Sequence, residues 1–316
     1  MLTAETHIQT ERPSRYLVQL CKHADSINHK ILHLHASKAQ ARPEVQHVEW
    51  SDTDGTLTFS WGRCTMQAGP DNGGHCSPKP GASPVADAFT GFPPTGIAFL
   101  AGLAADNAKT YFNANRDTYT NDLAVPLRAL VVAVGERLRD TAVPDVCFEP
   151  STGKSLFRIN RDTRFSADKT PYNPWVDAIW WAGPDDARRA PAFIFRLSAD
   201  YLVAGAGIMG LRDTRLDRYR AAVADDSSGR ALHDLLNQLS ATLPDVEITE
   251  PARKRVPAPY PQDHPRRDLL RCDTLHASIR RAHPRTLASP ASADTLTDLL
   301  TPFTPLHRWL VDHVAT

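Results

Sequence analysis

Residues 157 to 172 concentrate the side chains best suited to chemistry. Arg158, Arg161, Arg164 and Lys169 supply four cations, Asp162 and Asp168 two carboxylates, and the run closes on Pro171-Tyr172. A guanidinium presents paired N–H donors that match the oxygens of a carboxylate or phosphate, and an ammonium adds a point charge. The apolar stretch Leu156 to Ile159 reads as a strand, and Pro171 opposes a helix, so the second half of the run is expected to be a loop. Loops held on a rigid scaffold are where binding groups collect. The pattern therefore predicts a pocket for a small phosphorylated or carboxylated ligand, built from Arg158, Arg161, Asp162, Arg164, Asp168, Lys169 and Tyr172. If a reaction occurs there, Asp162 or Asp168 would be the general base and the arginines would stabilise developing negative charge. The alternative is a non-catalytic structural or interaction protein whose Arg–Asp network pins the loop, each charge satisfied by its neighbour.

Three further patterns are weaker. Ser166-Ala167-Asp168-Lys169 has S-x-x-K spacing, but that nucleophile needs a helix start, which Pro171 opposes. Gly205-Ala206-Gly207-Ile208-Met209-Gly210 fits G-x-G-x-x-G. It comes late in the chain and does not open a helix, so a turn or close backbone approach beside the Arg loop is expected rather than a dinucleotide site. Arg253-Lys254-Arg255 reads as a solvated charge run able to lend one cation to a shared anion pocket. Near the N-terminus, His29, His33 and His35 lie close to Cys21 and His23. A metal site there is conceivable, but zinc-finger spacing is absent and no metal ligands are assigned.

These residues must be positioned by a chain of 316 residues, enough for about two domains at roughly 150 residues each. The 36 basic and 36 acidic residues cancel, which argues against an unaided nucleic-acid binder or a basic membrane-surface protein. Only 8 of the basic residues are lysine, a bias expected of a GC-rich bacterial genome. No apolar run approaches the roughly 18 residues of a spanning helix. The first thirty residues lack an apolar signal core, and five cysteines without a C-x-x-C pair predict reduced thiols in a cytoplasmic protein. Nothing in the spacing names a reaction, a cofactor or an oligomeric state.

Gly-, Pro- and Ser-rich residues 70–87 read as a linker between a small unit (1–69) and a larger one (88–316). In the first, Ser14 to His23 predicts a helix, and His47–Trp50 and Leu57–Trp61 predict a hairpin turning at Asp54-Gly55. In the second, Thr95 is a candidate cap for a helix carrying Ile97, Leu100 and Leu103, and Leu123, Leu127, Leu130, Val134 and Leu138 form an amphipathic stripe. Strands are expected at Leu156–Ile159, Val176–Trp181, Phe193–Leu197 and Tyr201–Val203. Helices follow at Leu216–Val223 and Leu232–Leu243, with a last one at Leu296–Leu310. Clustered strands between runs of helices predict an α+β fold: a helix-plus-hairpin unit, then a mainly antiparallel sheet packed by helices.

The run Phe157 to Tyr172 resembles the signature of the bacterial family domain of unknown function 2461. Asp106-Asn107 with Tyr111-Phe112, the glycines at 205–207 with Met209, and Lys254-Arg255-Val256-Pro257 with Tyr260 and His264-Pro265 resemble further segments of that family over about residues 88–316. The resemblance implies a cytoplasmic α+β domain and supplies no reaction. Asp106, Tyr111, Ala206 and Asn173 depart from the family pattern, and Asn173 removes one cation from the expected pocket. Arg15-Tyr16-Leu17, Leu20 to His23 and Thr58 to Cys64 resemble a second family, domain of unknown function 2218, with its closing helix missing. That resemblance implies a link to iron handling.

Overall fold

The computed structural model describes residues 45–50, 54–59, 62–67, 88–183 and 187–315. Two compact units divide the chain, Met1–His75 and Cys76–Thr316. The expected N-terminal helix, its histidines and the expected linker lie outside the described residues.

In the first unit β1 (Val45–Trp50), β2 (Asp54–Phe59) and β3 (Gly62–Gln67) form an antiparallel meander. Trp50 pairs with Gly55, so Asp54-Gly55 opens β2 instead of forming the middle of the turn. The third strand was not anticipated.

The second unit is an α+β domain. It opens with α1 (Pro94–Ala105), α2 (Lys109–Ala114), α3 (Arg116–Tyr119), a π-helical turn (Thr120–Ala124) and α4 (Val125–Thr141). Leu127, Leu130, Val134 and Leu138 recur every three to four positions on α4, and all four are buried. Leu123 is buried in the π-helical turn. Thr95 does not cap α1. Pro94, whose missing N–H costs nothing at the first helical position, starts the helix, and the Thr95 hydroxyl donates to Asp122 at 2.6 Å.

The sheet comprises β4 (Val146–Cys147), β5 (Trp175–Ala182), β6 (Ala192–Ser198), β7 (Tyr201–Ile208), β8 (Glu247–Ile248) and β9 (Leu275–Ala282), in the order β4-β5-β6-β7-β9-β8. Every pairing is antiparallel. Between and after these strands lie α5 (Asp213–Ala224), α6 (Ser228–Thr242), α7 (Arg267–Leu270), α8 (Ser292–Leu300) and α9 (Thr304–Leu310). The C-terminal segment is two helices, not the one expected. A 3-10 turn at Thr301–Phe303 separates them, because Pro302 and Pro305 have no N–H to continue an α-helical ladder.

Alternation along the strands creates two unequal cores. Val176, Ala178 and Trp180 of β5 join Phe193, Phe195 and Leu197 of β6 in the main core with α1, α4, α8 and α9. There the Trp180 indole donates to the Val131 carbonyl at 2.8 Å. Ile179, Trp181 and Ala192 point the other way and pack with Cys147, Ala187 and Ala190, with Phe157 and Ile194 at the margin. Cys147 is disulfide-bonded, which departs from the expectation of reduced thiols throughout.

Gly205 and Gly207 lie within β7, so no turn or phosphate loop forms there, and β7 pairs with β6 and β9 rather than lying beside the Arg loop. The expectation of close backbone approach does hold. A Cβ on Gly205 would stand 2.2 Å from the Ala277 carbonyl oxygen, and one on Gly207 would stand 2.4 Å from His276 Cβ. The expected strand at Leu156–Ile159 is reduced to isolated bridges, Leu156 with Ala178 and Asn160 with Tyr172.

Candidate functional site

The charged run leaves the sheet at Phe157, whose N–H donates to the Asp177 carbonyl of β5 at 3.3 Å. It returns at Tyr172. The base is closed by backbone bonds from Arg161 to Pro171 (2.9 Å) and from Asn173 to Ile159 (2.8 Å). Asn107, in the connection between α1 and α2, clamps the return. Its amide donates to the Tyr172 carbonyl (2.9 Å) and its carbonyl accepts the Tyr172 N–H (3.0 Å). The Tyr172 ring is buried and stacks on Phe112, centroids 4.4 Å apart and planes 12° from parallel. Tyr172 therefore anchors the loop in the main core and does not line a pocket.

The outer part of the loop is braced by its own charges. Arg164 directs Nε and Nη2 to the two oxygens of Asp162 at 2.9 and 2.6 Å. Asp168 accepts from Arg161 Nη1 at 2.5 Å and from the N–H and hydroxyl of Thr170 at 2.9 and 3.0 Å. Arg161 Nη1 also contacts the Thr170 hydroxyl. Lys169 Nζ donates to the Thr163 carbonyl at 2.8 Å. Arg164, Asp168 and Lys169 thus have partners within the loop, and the network alternative describes this half.

The inner part borders open space. A cleft of about 510 Å³ lies against Arg158, Asn160, Arg161 and Asp162 on one side, with Gly153, Phe157, Asn173 and Arg188 completing its lining. Arg158 is exposed and has no hydrogen bond or ion pair among the described residues. Arg161 spends only Nη1, leaving its Nε/Nη2 edge without a partner there. Arg188 lies over the Phe157 ring at 4.0 Å and donates from Nη2 to the Leu156 carbonyl at 3.3 Å, which fixes its guanidinium on the small second core. A Cβ at Gly153 would meet nothing within 4 Å.

Three of the seven expected residues, Arg158, Arg161 and Asp162, therefore meet at the cleft, and four do not. Arg188 and Asn160 were not anticipated. Asn173, which reads as a lost cation, lies in the lining as a neutral amide. Arg188 stands in the connection between β5 and β6, beside Arg189, in a stretch without periodicity. Its proximity to Phe157 is a product of tertiary folding.

Both carboxylates are held ionised. Asp162 is lowered to about 2, first by the Arg164 side-chain hydrogen bond and then by the Arg164 N–H. Asp168 is lowered to about 2, first by the Thr170 N–H and then by Arg161. A carboxylate so acidic is a poor proton acceptor near neutral pH, so neither suits the general-base role that the residue types suggest. Ser166 and Lys169 lie in irregular backbone, without the helix that an S-x-x-K nucleophile requires. Among the described residues no three His, Cys, Asp or Glu side chains are grouped to hold a metal ion, and no helix is long and apolar enough to cross a membrane.

Fold and site together define an α+β protein with an arginine-lined cleft at the edge of an antiparallel sheet. The chain belongs to the family described as conserved hypothetical protein (DUF2461), whose model matches residues 95–309. Residues 5–72 match a second family, described as uncharacterized protein conserved in bacteria (DUF2218). No curated protein and no solved structure matches the chain.

Proposed function

We propose that the cleft binds a small phosphorylated or carboxylated molecule, with Arg158 and the open edge of Arg161 as the main donors. Asn160 and Asn173 would orient its neutral parts. The observation that carries this reading is the uncommitted guanidinium of Arg158 facing an open cleft. A structural network would be expected to use that charge internally, as it does Arg164. The braced half of the loop then has a supporting role: Asp168 orients Arg161, and Asp162, occupied by Arg164, does not neutralise Arg158. Carboxylates held near pKa 2 favour binding over acid–base catalysis at this site.

The test is the melting temperature of the full chain titrated with phosphate, sugar phosphates, nucleotides and dicarboxylates. At 100 times Kd a ligand stabilises by about 2.7 kcal/mol, which is easily measured. Oxyanions should raise the melting temperature of wild type and of Arg230→Ala, a change on the exposed side of α6 outside the cleft lining, and Arg158→Ala should respond measurably less. A flat profile across all compounds, or an undiminished response in Arg158→Ala, counts against the reading.

A further inference from the structure

The cleft holds more uncommitted polar groups than an anion alone can use. Asn160 is exposed and Asn173 half-buried, and neither side-chain amide has a hydrogen-bond partner among the described residues. Both border the cleft. The loop base fixes where they stand: Asn160 bridges to Tyr172 across it, and the Asn173 N–H donates to the Ile159 carbonyl at 2.8 Å. A primary amide carries an acceptor oxygen and two N–H donors. A hydroxyl, donor and acceptor at once, complements such a group, whereas an oxyanion uses its N–H side alone.

Asp162 adds a second signature. It borders the same cleft, yet it has the wrong sign for an oxyanion. Arg164 takes three of its roughly four acceptor sites, through its N–H at 3.2 Å, Nε at 2.9 Å and Nη2 at 2.6 Å. A carboxylate held ionised by those bonds can only accept, and the site that remains suits a ligand hydroxyl. It disfavours a ligand with an oxyanion at both ends, because like charges repel. At the anionic end, Arg158 and the open edge of Arg161 supply two cations. A phosphate monoester, with about −1.5 to −2 charge near neutral pH and three terminal oxygens, uses both, and a lone carboxylate uses one. The volume of about 510 Å³ lies within the roughly 300–1,000 Å³ usual for small-molecule sites.

We infer, resting on the cleft reading above, that the ligand is a phosphorylated polyhydroxy compound of the sugar-phosphate class. Its phosphate meets Arg158 and Arg161, and its hydroxyls meet Asn160, Asn173 and Asp162. Hydroxyls beside the phosphate, rather than the anion alone, then set the affinity. Inorganic phosphate and hydroxyl-free phosphate esters occupy only the cationic end. Dicarboxylates and bisphosphates bring their second charge against Asp162.

The experiment titrates the full chain calorimetrically with ethyl phosphate and, separately, with glucose 6-phosphate, ribose 5-phosphate and glycerol 3-phosphate. At least one hydroxylated ester should bind wild type about tenfold tighter than ethyl phosphate, the gain expected of one or two further hydrogen bonds. Asn160→Ala and Asn173→Ala should each cut that preference to about threefold or less. Asp162→Ala should split the two classes. Ethyl phosphate should bind it more tightly, because a negative charge is removed and Arg164 is released, while the hydroxylated ester binds more weakly. Should Asp162→Ala disorder the loop, the two amide variants, which keep the Asp162–Arg164 pair, decide the matter. Equal affinity of wild type for ethyl phosphate and all three hydroxylated esters overturns the inference and leaves the cleft reading standing. A preference that survives both amide substitutions overturns it as well. Failure of the cleft reading looks different: none of the four esters would then bind, and both proposals fall together.

Discussion

Asn107 holds both backbone polar groups of Tyr172 with one side chain, and its removal is a sharp test of how the loop is set. Each of the two hydrogen bonds contributes about 1 kcal/mol net, and a buried group left without a partner costs about 1–3 kcal/mol. Tyr172 is only 5% exposed, and one of its two groups can recover water at the loop base. Asn107→Ala should therefore destabilise the second unit by about 2–4 kcal/mol, well above the roughly 0.5 kcal/mol typical of surface substitutions. Asn107→Asp should be no milder at neutral pH. It keeps the acceptor for the Tyr172 N–H but sets a carboxylate against the Tyr172 carbonyl where the amide donor was. Urea denaturation monitored by tryptophan fluorescence is the assay, with the midpoint falling at unchanged slope. The clamp also sets the spacing of Asn160 and Asn173 in the cleft, so oxyanion affinity should fall in the same variants. A loss below about 0.5 kcal/mol in Asn107→Ala would refute the reasoning, because it would mean that the stack of Tyr172 on Phe112 alone fixes the loop.

Three further outcomes follow from the core. His307 is stacked on Phe193 at 4.6 Å, and burial, aided by Arg308, lowers it to about 4; the nearby Pro191 carbonyl makes no well-formed bond and offsets little. Its folded value lies below the ordinary 6.5, so the unfolded chain binds the proton first. Stability should be full above about pH 6.5 and decline by on the order of 3 kcal/mol toward pH 4. His307→Phe should flatten that slope in pH-dependent denaturation, and an unchanged slope would assign it to other groups. Gly205→Ala should cost about 1–3 kcal/mol, since the new Cβ meets the backbone of β9 at 2.2 Å, and a melting temperature within 1 °C of wild type contradicts this. Cys272 is a buried free thiol raised to about 11, first by burial and then by Asp273. It should resist aromatic disulfide reagents at pH 8 until the chain is unfolded, and rapid labelling of the native protein would contradict its burial.

Elements with strong local periodicity were legible without coordinates. The Leu127–Leu138 stripe, β5, β6 and the α+β class followed from spacing and alternation. β9 was not legible, although Leu275, Ala277 and Ile279 alternate inward, because Ala277, Ser278 and the terminal arginines dilute the signal. The C-terminal break was written in Pro302 and Pro305 but masked by an unbroken leucine rhythm. The charged loop shows both limits. Its type and place were readable from the sixteen residues alone. Which arginines it keeps for itself depends on pairs two to seven positions apart, Asp162 with Arg164 and Asp168 with Thr170 and Arg161. Arg188 reaches the cleft only because β5 and β6 pair, and no local pattern announces that.

The central claim is that Arg158, which has no partner among the described residues, meets an anion. Isothermal titration of inorganic phosphate into wild type and Arg158→Ala, with Arg230→Ala on α6 as the charge-matched control outside the cleft lining, tests it most directly. The account predicts saturable binding to wild type that weakens with added salt, persists in Arg230→Ala and falls at least tenfold in Arg158→Ala. Equal affinity in all three proteins would contradict it.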